Sequence, residues 1–405
     1  MRLVRGPPSS SDELSQLVKF NPREILVTSL FTYWSEYVRQ TVKFYRGLFP
    51  NAKIIVGGIY TSLRPVEEVI EYTECDEVFQ GVMEEAELYT PAYNLLDGIN
   101  GHKLDYQILH ASRGCIRHCE FCGTWRIEPE YKPKKSIVDK ILPGIRKLVF
   151  YDNNLLANPY IETILSELAD LKHAKQILWC ESQSGFDGRI LENKPHLARM
   201  LKEAGFQNPR MAWDWGYEQH ESIKNQIDLL INAGYKSNQV YVFVIYNWDT
   251  PFEEMEQKRI KCFKWKVQIA DCRYRPLDQM FDYYNGRIQN QTNADYHIHE
   301  EAGWTDALVK QYRRNIREQN ICVRYGFPFY SRPFEHKSQG KQVRRKVKLL
   351  PTIEEKTAFM VSHGYDYWIP DGQRYPGSEI SKRQILFEND PPMNSEMEDV
   401  TSNCV

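Results

Sequence analysis

The sequence predicts an α/β protein in which buried strands alternate with helices. Two blocks of this alternation, at residues 24–75 and 107–271, flank a segment at 91–106 that is rich in Pro, Gly and Asp. Such alternation is typical of parallel sheets, whereas Pro- and Gly-rich segments connect elements or domains. We therefore expect two α/β domains, with any ligand at the carboxyl ends of the strands.

The first block predicts half of an open α/β domain. Apolar, β-branched runs predict strands and helical spacing of apolar residues predicts helices, with strands at 24–29 and 52–60 and helices at 37–49 and 66–75. The second strand includes Gly57 and Gly58. This glycine pair fits either a tight strand-to-helix turn or a close approach of the backbone to a cofactor.

The second block continues the same alternation over a longer stretch. Its predicted strands are at 107–112, 147–151, 176–180, 210–215, 239–246 and 267–271, and its clearest helices are at 160–171, 195–205 and 221–234. Six β/α units fit an incomplete barrel or a second doubly wound sheet. In either arrangement, chemistry belongs at the strand ends.

The pattern weakens beyond residue 275. One helix is predicted at 305–320, and the strongly basic run at 336–348 is expected to be a solvated surface loop. The last stretch is acidic, contains Pro and has few core residues, so we expect it to be disordered.

Composition excludes several classes of protein. The chain has 405 residues and a net charge of −2, and it contains no apolar run of membrane-spanning length and no secretory signal at its start. We therefore expect a cytoplasmic protein without a membrane partner. The balance of acidic and basic residues gives no indication of a nucleic-acid partner. Nine cysteines, an odd number, favour thiols or metal ligands over a disulfide framework.

Three cysteines form a compact motif. The stretch ASRGCIRHCEFCGTW at 111–125 places Cys115, Cys119 and Cys122 at C-x3-C-x2-C spacing. A structural zinc site normally has four protein ligands in two spaced pairs, and no second pair follows. A cubic iron–sulfur cluster bound by three thiolates leaves one iron open to a substrate or cofactor.

This motif, with Phe121 before its last cysteine and a strand before the loop, resembles that of the radical S-adenosylmethionine (SAM) superfamily. The resemblance implies a [4Fe-4S] cluster on Cys115, Cys119 and Cys122, with SAM on the open iron. It also implies reductive cleavage of SAM to a 5′-deoxyadenosyl radical that abstracts hydrogen from the substrate. An electron donor such as flavodoxin or ferredoxin would supply the electron.

The resemblance extends to polar residues that follow the later strands. It implies contacts to SAM or its surroundings for Asp152, Asn153, Gln183, Asp187, Asp214 and Glu218. Each of these residues has an alternative interpretation as a cap or turn residue, because Asp, Asn and Gly are common at strand-to-helix turns.

The first block resembles the cobalamin-binding domain that precedes the barrel in B12-dependent members of the superfamily. The resemblance implies cobalamin contacts for Ser29, Thr32, Gly57 and Gly58. No histidine precedes His102, so this region has none to ligate cobalt, and the domain is expected to be truncated at its N-terminus.

The implied organisation therefore has four parts. They are a Rossmann-like, partial cobalamin-binding-type domain (1–100), a partial (β/α)6 TIM-like barrel (105–275), a substrate-side C-terminal extension (276–335), and a basic segment with an acidic tail (336–405).

The leading functional hypothesis is a radical SAM enzyme that acts on a small molecule or peptide and, with cobalamin, methylates an unactivated carbon. One alternative is a B12-independent radical SAM enzyme that catalyses rearrangement, oxidation or sulfur insertion. A second alternative is a non-catalytic scaffold whose cysteines bind zinc or a structural cluster.

Overall fold

The computed structural model describes residues 3–4, 6–8, 10–96, 105–328, 330 and 337–362. The chain divides into two compact units. The first comprises residues 1–179 with 275–284 and 293–297, and the second comprises 180–274, 285–292 and 298–405. Of the predicted linker at 91–106, residues 97–104 lie outside the described residues, and the predicted domain boundaries stay predictions.

The first unit contains the strands that precede the cysteine loop, the loop itself and the elements around it. Its elements are α1 (Ser11–Phe20), β1 (Glu24–Ser29), α2 (Ser35–Leu48), β2 (Lys53–Gly58), α3 (Ile59–Ser62), α4 (Val66–Thr73), β3 (Glu77–Val78), β4 (Gln107–Leu109), β5 (Ser112–Arg113), α5 (Thr124–Ile127), β6 (Lys132–Pro133), β7 (Lys147–Phe150), α6 (Ile161–His173) and the start of β8 (Trp179–Ser182).

The N-terminal sheet of this unit is parallel, in the order β1-β2-β3. Ile54 and Val56 of β2 are fully buried, as are Val42 of α2 and Val69 of α4, and all four belong to one apolar core. The predicted alternation of strands and helices is therefore confirmed here. Helix α1 was not predicted; it begins at the cap Ser10, whose hydroxyl accepts a hydrogen bond from the Glu13 N–H.

The strands around the cysteine motif are shorter than predicted. Strand β4 pairs in parallel with β7, from Gln107 opposite Leu148 to Leu109 opposite Phe150. The predicted strand at 107–112 ends there, because the next two-residue strand, β5, leaves this pairing. It pairs instead with β6 in antiparallel fashion, so the cysteine loop is enclosed by a β5–β6 pair.

The second unit contains a further parallel sheet. Its further elements are α7 (Gly188–Asn193), α8 (His196–Glu203), β9 (Arg210–Ala212), α9 (His220–Asn232), β10 (Tyr241–Tyr246), α10 (Phe252–Lys264), β11 (Gln268–Arg273), α11 (Asp306–Tyr325), α12 (Lys337–Leu349) and α13 (Ile353–Ser362). Strand β10 lies between β9 and β11 and is parallel to both. Its burial alternates, and Val242 and Val244 are fully buried.

The prediction of a surface loop at 336–348 was wrong, because α12 occupies most of that stretch. Val343 and Val347 are one helical turn apart and pack in a core with Cys322 and Met360. Their burial explains why a basic segment folds as a helix. The predicted disorder of the acidic tail concerns residues beyond 362, outside the described part of the chain.

The α/β class is confirmed by these elements. The described strands form small sheets, and none of those sheets closes into a barrel. Among the described helices, none combines the length and apolar character needed to cross a membrane.

Candidate metal centre

The three cysteines of the motif lie on one irregular loop, residues 114–123, between β5 and α5. Cys115, Cys119 and Cys122 are each partly exposed, and the cysteines that the structure describes form no disulfide. Thiols on an exposed loop are accessible to a metal ion, whereas a buried cysteine such as Cys262 behaves as a small apolar residue.

Backbone hydrogen bonds shape this loop. The N–H of Cys122 donates to the carbonyl oxygen of Cys119 at 3.0 Å, and the indole N–H of Trp125 donates to the same oxygen at 3.1 Å. The N–H of Arg117 donates to the sulfur of Cys115 at 3.3 Å. A hydrogen bond to sulfur favours the thiolate, which is the form that ligates metals.

A chain of side chains connects the last cysteine to the end of the neighbouring strand. Cys122 Sγ lies 3.3 Å from the Thr124 hydroxyl, which donates to Oδ1 of Asn153 at 3.2 Å. Asn153 Nδ2 donates to Glu128 at 3.3 Å. Asn153 follows β7, so the loop is tied to the carboxyl end of the strand paired with β4.

Asp152 holds the backbone that leads into the loop. It is fully buried, and its two carboxylate oxygens accept hydrogen bonds from the Ala111 N–H at 3.0 Å and the Ser112 hydroxyl at 2.7 Å. Burial raises the pKa of Asp152 to about 6, although these hydrogen bonds oppose the rise. Both predicted residues after β7 are therefore beside the cysteine loop, with polar atoms engaged by the chain itself.

Charged residues surround the start of the loop. Arg113 pairs with Glu87 and lies 3.5 Å from Glu128. Burial is the largest single cause and raises the pKa of Glu87, but Arg113, with Lys134 and His110, lowers it below its usual value overall. Burial lowers the pKa of His110 to about 4, so this histidine is neutral at pH 7.

The three sulfurs lie on one loop. Over the described ranges, no three side chains of His, Cys, Asp or Glu are grouped closely enough to hold a metal ion. The donor chemistry of the loop nevertheless fits an iron–sulfur cluster, because its three thiols are partly exposed and one already accepts a backbone N–H.

The four residues predicted to contact cobalamin lie at the ends of β1 and β2. Gly58 has φ +93°, and a Cβ there would be 2.5 Å from Thr28 Oγ1. The Ser29 hydroxyl donates to the Phe31 carbonyl oxygen at 2.9 Å, and Thr32 is buried. The space that a side chain at Gly58 would need is filled by Thr28 and Ser29, so the tight strand-to-helix turn by itself explains this glycine.

The remaining predicted residues lie in the second unit. Asp187 caps α7, since its carboxylate accepts hydrogen bonds from the backbone N–H and the guanidinium of Arg189. Gln183, after β8, donates to Glu181 at 3.3 Å. Glu218 is exposed and lies on the short helical turn after β9. Asp187 is therefore a helix cap, which is the alternative interpretation that its place after a strand also allowed.

Asp214 differs from these three residues. It follows β9, and among the described residues its carboxylate has no hydrogen-bond or ion-pair partner. Burial raises its pKa to about 6, while Lys258 and Arg189 oppose the rise. Lys258 is fully buried, donates to the Trp215 carbonyl oxygen and has its pKa lowered to about 8 by burial.

Several residues of these surroundings escaped the sequence analysis, namely Ser112, Thr124, Glu128 and Lys258. Ser112 and Thr124 flank the cysteine motif, and that proximity was the one available signal. Lys258 is surrounded in sequence by other charged residues of α10, so nothing distinguished it as the buried one.

Neither the protein-family models nor the curated proteins include a match to this chain.

Proposed function

We propose that this chain is a radical SAM enzyme whose Cys115, Cys119 and Cys122 bind a [4Fe-4S] cluster. One observation carries the proposal: the three thiols share a partly exposed loop that is hydrogen-bonded to the carboxyl end of a parallel strand. A cluster on three thiolates has an open iron, and this is where SAM would bind. When bound, the cluster and SAM supply the radical chemistry.

The chain contributes orientation around these groups. Asp152 fixes the backbone before the loop, and Asn153 fixes the segment after it through Thr124. We also propose that polar residues of the second unit, Gln183, Asp187, Asp214 and Glu218, contact SAM. Asp214 has the strongest support, because its carboxylate has no partner within the described residues.

The finer fold belongs to the same proposal. We propose a Rossmann-like N-terminal domain and a partial (β/α)6 TIM-like barrel, supported by the two blocks of parallel strands. The cysteine loop would then follow the first barrel strand. The proposed location is the cytoplasm, and the proposed electron donor is a flavodoxin or ferredoxin.

Anaerobic preparation of the protein tests the metal centre. Reconstituted protein is expected to contain about four iron and four sulfide ions per chain and to absorb light at about 400 nm. With a reductant it should cleave SAM to methionine and 5′-deoxyadenosine. Zinc without iron, in colourless protein, would indicate the scaffold alternative instead.

Cysteine variants provide the matched control. Cys122→Ala is expected to lose both the absorbance and SAM cleavage, whereas Cys272→Ala, which changes another partly exposed cysteine outside the motif, should retain both. SAM cleavage by the Cys122→Ala protein at the wild-type rate would contradict the proposal.

The reaction that follows SAM cleavage depends on cobalamin. Methyl transfer to an unactivated carbon of a small molecule or peptide is proposed if cobalamin is present, and rearrangement or oxidation if it is not. Sulfur insertion is less favoured, because the sequence has no second compact cysteine motif. Chromatography of cofactors extracted from the anaerobic protein distinguishes these cases.

A further inference from the structure

We infer that Glu128 is a positioning residue that holds both ends of the cysteine loop in place for cluster binding. The inference rests on the proposed function, and it assigns a role to a residue outside the motif. Glu128 follows α5, six residues after Cys122, and its side chain is only 13% exposed.

The first contact of Glu128 is at the start of the loop. Its Oε2 atom accepts the backbone N–H of Gly114 at 2.5 Å, one residue before Cys115. The carboxylate therefore fixes the peptide that leads directly to the first cysteine.

Gly114 adopts a backbone conformation that allows this contact. Its φ is +75°, and a Cβ at this position would overlap the carbonyl oxygen of Glu130. The chain thus enters the loop in close contact with the backbone at 128–130. Glycine is required because a side chain would be strained by both the dihedral angle and the lack of space.

The second contact reaches the other end of the loop. The same Oε2 atom accepts Asn153 Nδ2 at 3.3 Å, and Asn153 Oδ1 accepts the Thr124 hydroxyl, which adjoins Cys122 Sγ. One carboxylate oxygen therefore connects the segment before the first cysteine with the side chain beside the last. Residues that orient metal ligands in this way typically change metal affinity about 10- to 100-fold when removed.

A simple ion pair does not account for this arrangement. Glu128 Oε1 lies 3.5 Å from Arg113, but Arg113 also pairs with Glu87 and keeps that partner if Glu128 is removed. The ion pair and the two hydrogen bonds use different oxygens. The two roles can therefore be separated by substitution.

The experiment compares three variants after anaerobic reconstitution. Glu128→Ala removes all the contacts, whereas Glu128→Gln can keep its amide oxygen at the Oε2 position and retain both hydrogen bonds. Glu130→Ala is the control, since that side chain is 77% exposed and makes only a surface ion pair with Lys132. Transfer of iron from the protein to an excess of chelator is followed by absorbance.

We expect Glu128→Ala to lose iron about 10- to 100-fold faster than wild type. Glu128→Gln and Glu130→Ala should stay close to wild type. The inference is overturned if Glu128→Ala loses iron at the wild-type rate, or if Glu128→Gln is as defective as Glu128→Ala. Wild-type protein that takes up no iron would overturn the proposed function and this inference together.

A measurement on the metal-free protein separates positioning from folding. Amide hydrogen exchange is expected to be faster in Glu128→Ala over residues 113–123, and to be unchanged in α2 and β2 and in Glu128→Gln. Exchange that is faster throughout the first unit would show a general loss of stability and overturn the positioning role.

Discussion

Asp152 and Asp214 look alike in the sequence but differ in their surroundings. Each follows a strand of a parallel sheet, and burial raises the pKa of each to about 6. Asp152 accepts two hydrogen bonds from the backbone and side chain before the cysteine loop. Asp214 has no such partner within the described part of the chain.

The comparison separates two uses of a carboxylate at a strand end. Burial is the largest cause of the raised pKa in both residues, but their hydrogen bonding differs. A similar pKa therefore does not imply a similar role. Asp152 stabilises the fold around the loop, whereas Asp214 retains the capacity to accept hydrogen bonds from a ligand. Three predictions test this distinction.

The largest effect is expected for truncation of the two carboxylates. Asp152→Ala should lower the free energy of unfolding by about 2 to 4 kcal/mol, because the buried Ala111 N–H loses its acceptor and the buried Ser112 hydroxyl loses its carboxylate partner. Asp214→Ala should leave it unchanged or higher, since no hydrogen bond is lost. Urea unfolding at pH 7, followed by circular dichroism and tryptophan fluorescence, measures both. Equal destabilisation by the two variants would contradict the distinction between the two aspartates.

A pH dependence is expected next. The carboxyl of Asp152 has an ordinary value of 3.8 when unfolded and about 6 when folded, so the folded protein holds its proton more tightly. The resulting stabilisation is complete below about pH 4 and is lost as the pH rises through about 6. Asp152→Asn cannot ionise, and it has one acceptor oxygen where the carboxylate has two, which costs stability by an amount that does not depend on pH. Its stability relative to wild type should nevertheless rise by up to about 3 kcal/mol between about pH 4 and 7.

Urea unfolding at a series of pH values measures this gain. Asp214→Asn should shift in the same direction by a similar amount, because the pKa of Asp214 is also raised from 3.8 to about 6 by burial. A difference between Asp152→Asn and wild type that stays constant over this pH range would contradict the role of burial.

The smallest effect is expected at the hydroxyl that faces Asp152. Ser112→Ala removes one hydrogen bond and should cost about 1 kcal/mol. It should also raise the pKa of Asp152 further, because the Ser112 hydrogen bond is the largest cause that lowers it. The pH series described above measures both effects. Ser184→Ala, an exposed serine, is the control, and equal results for the two serines would show that the Ser112 bond is unimportant.

The sequence predicted the α/β class and most strands correctly, since these depend on local patterns of apolar residues. It also identified Asp152 and Asn153 as polar residues that follow a strand, and their contacts to SAM stay a prediction. Hydrogen bonds between distant positions were not predicted, because they depend on the folded chain and leave no local pattern. Asp152 bonds to Ala111, 41 residues earlier, and Glu128 bonds to Gly114. The surface loop predicted at 336–348 was wrong because the basic residues of α12 obscured the helical spacing of Val343 and Val347.

The short pair of strands β5 and β6 has a consequence for the order of events during maturation. These strands join the two sides of the cysteine loop through backbone hydrogen bonds that involve no thiol. We therefore expect the first unit to fold without metal. Under the proposed function, iron and sulfide would be delivered to a chain that is already folded, and the chain could be loaded again after their loss.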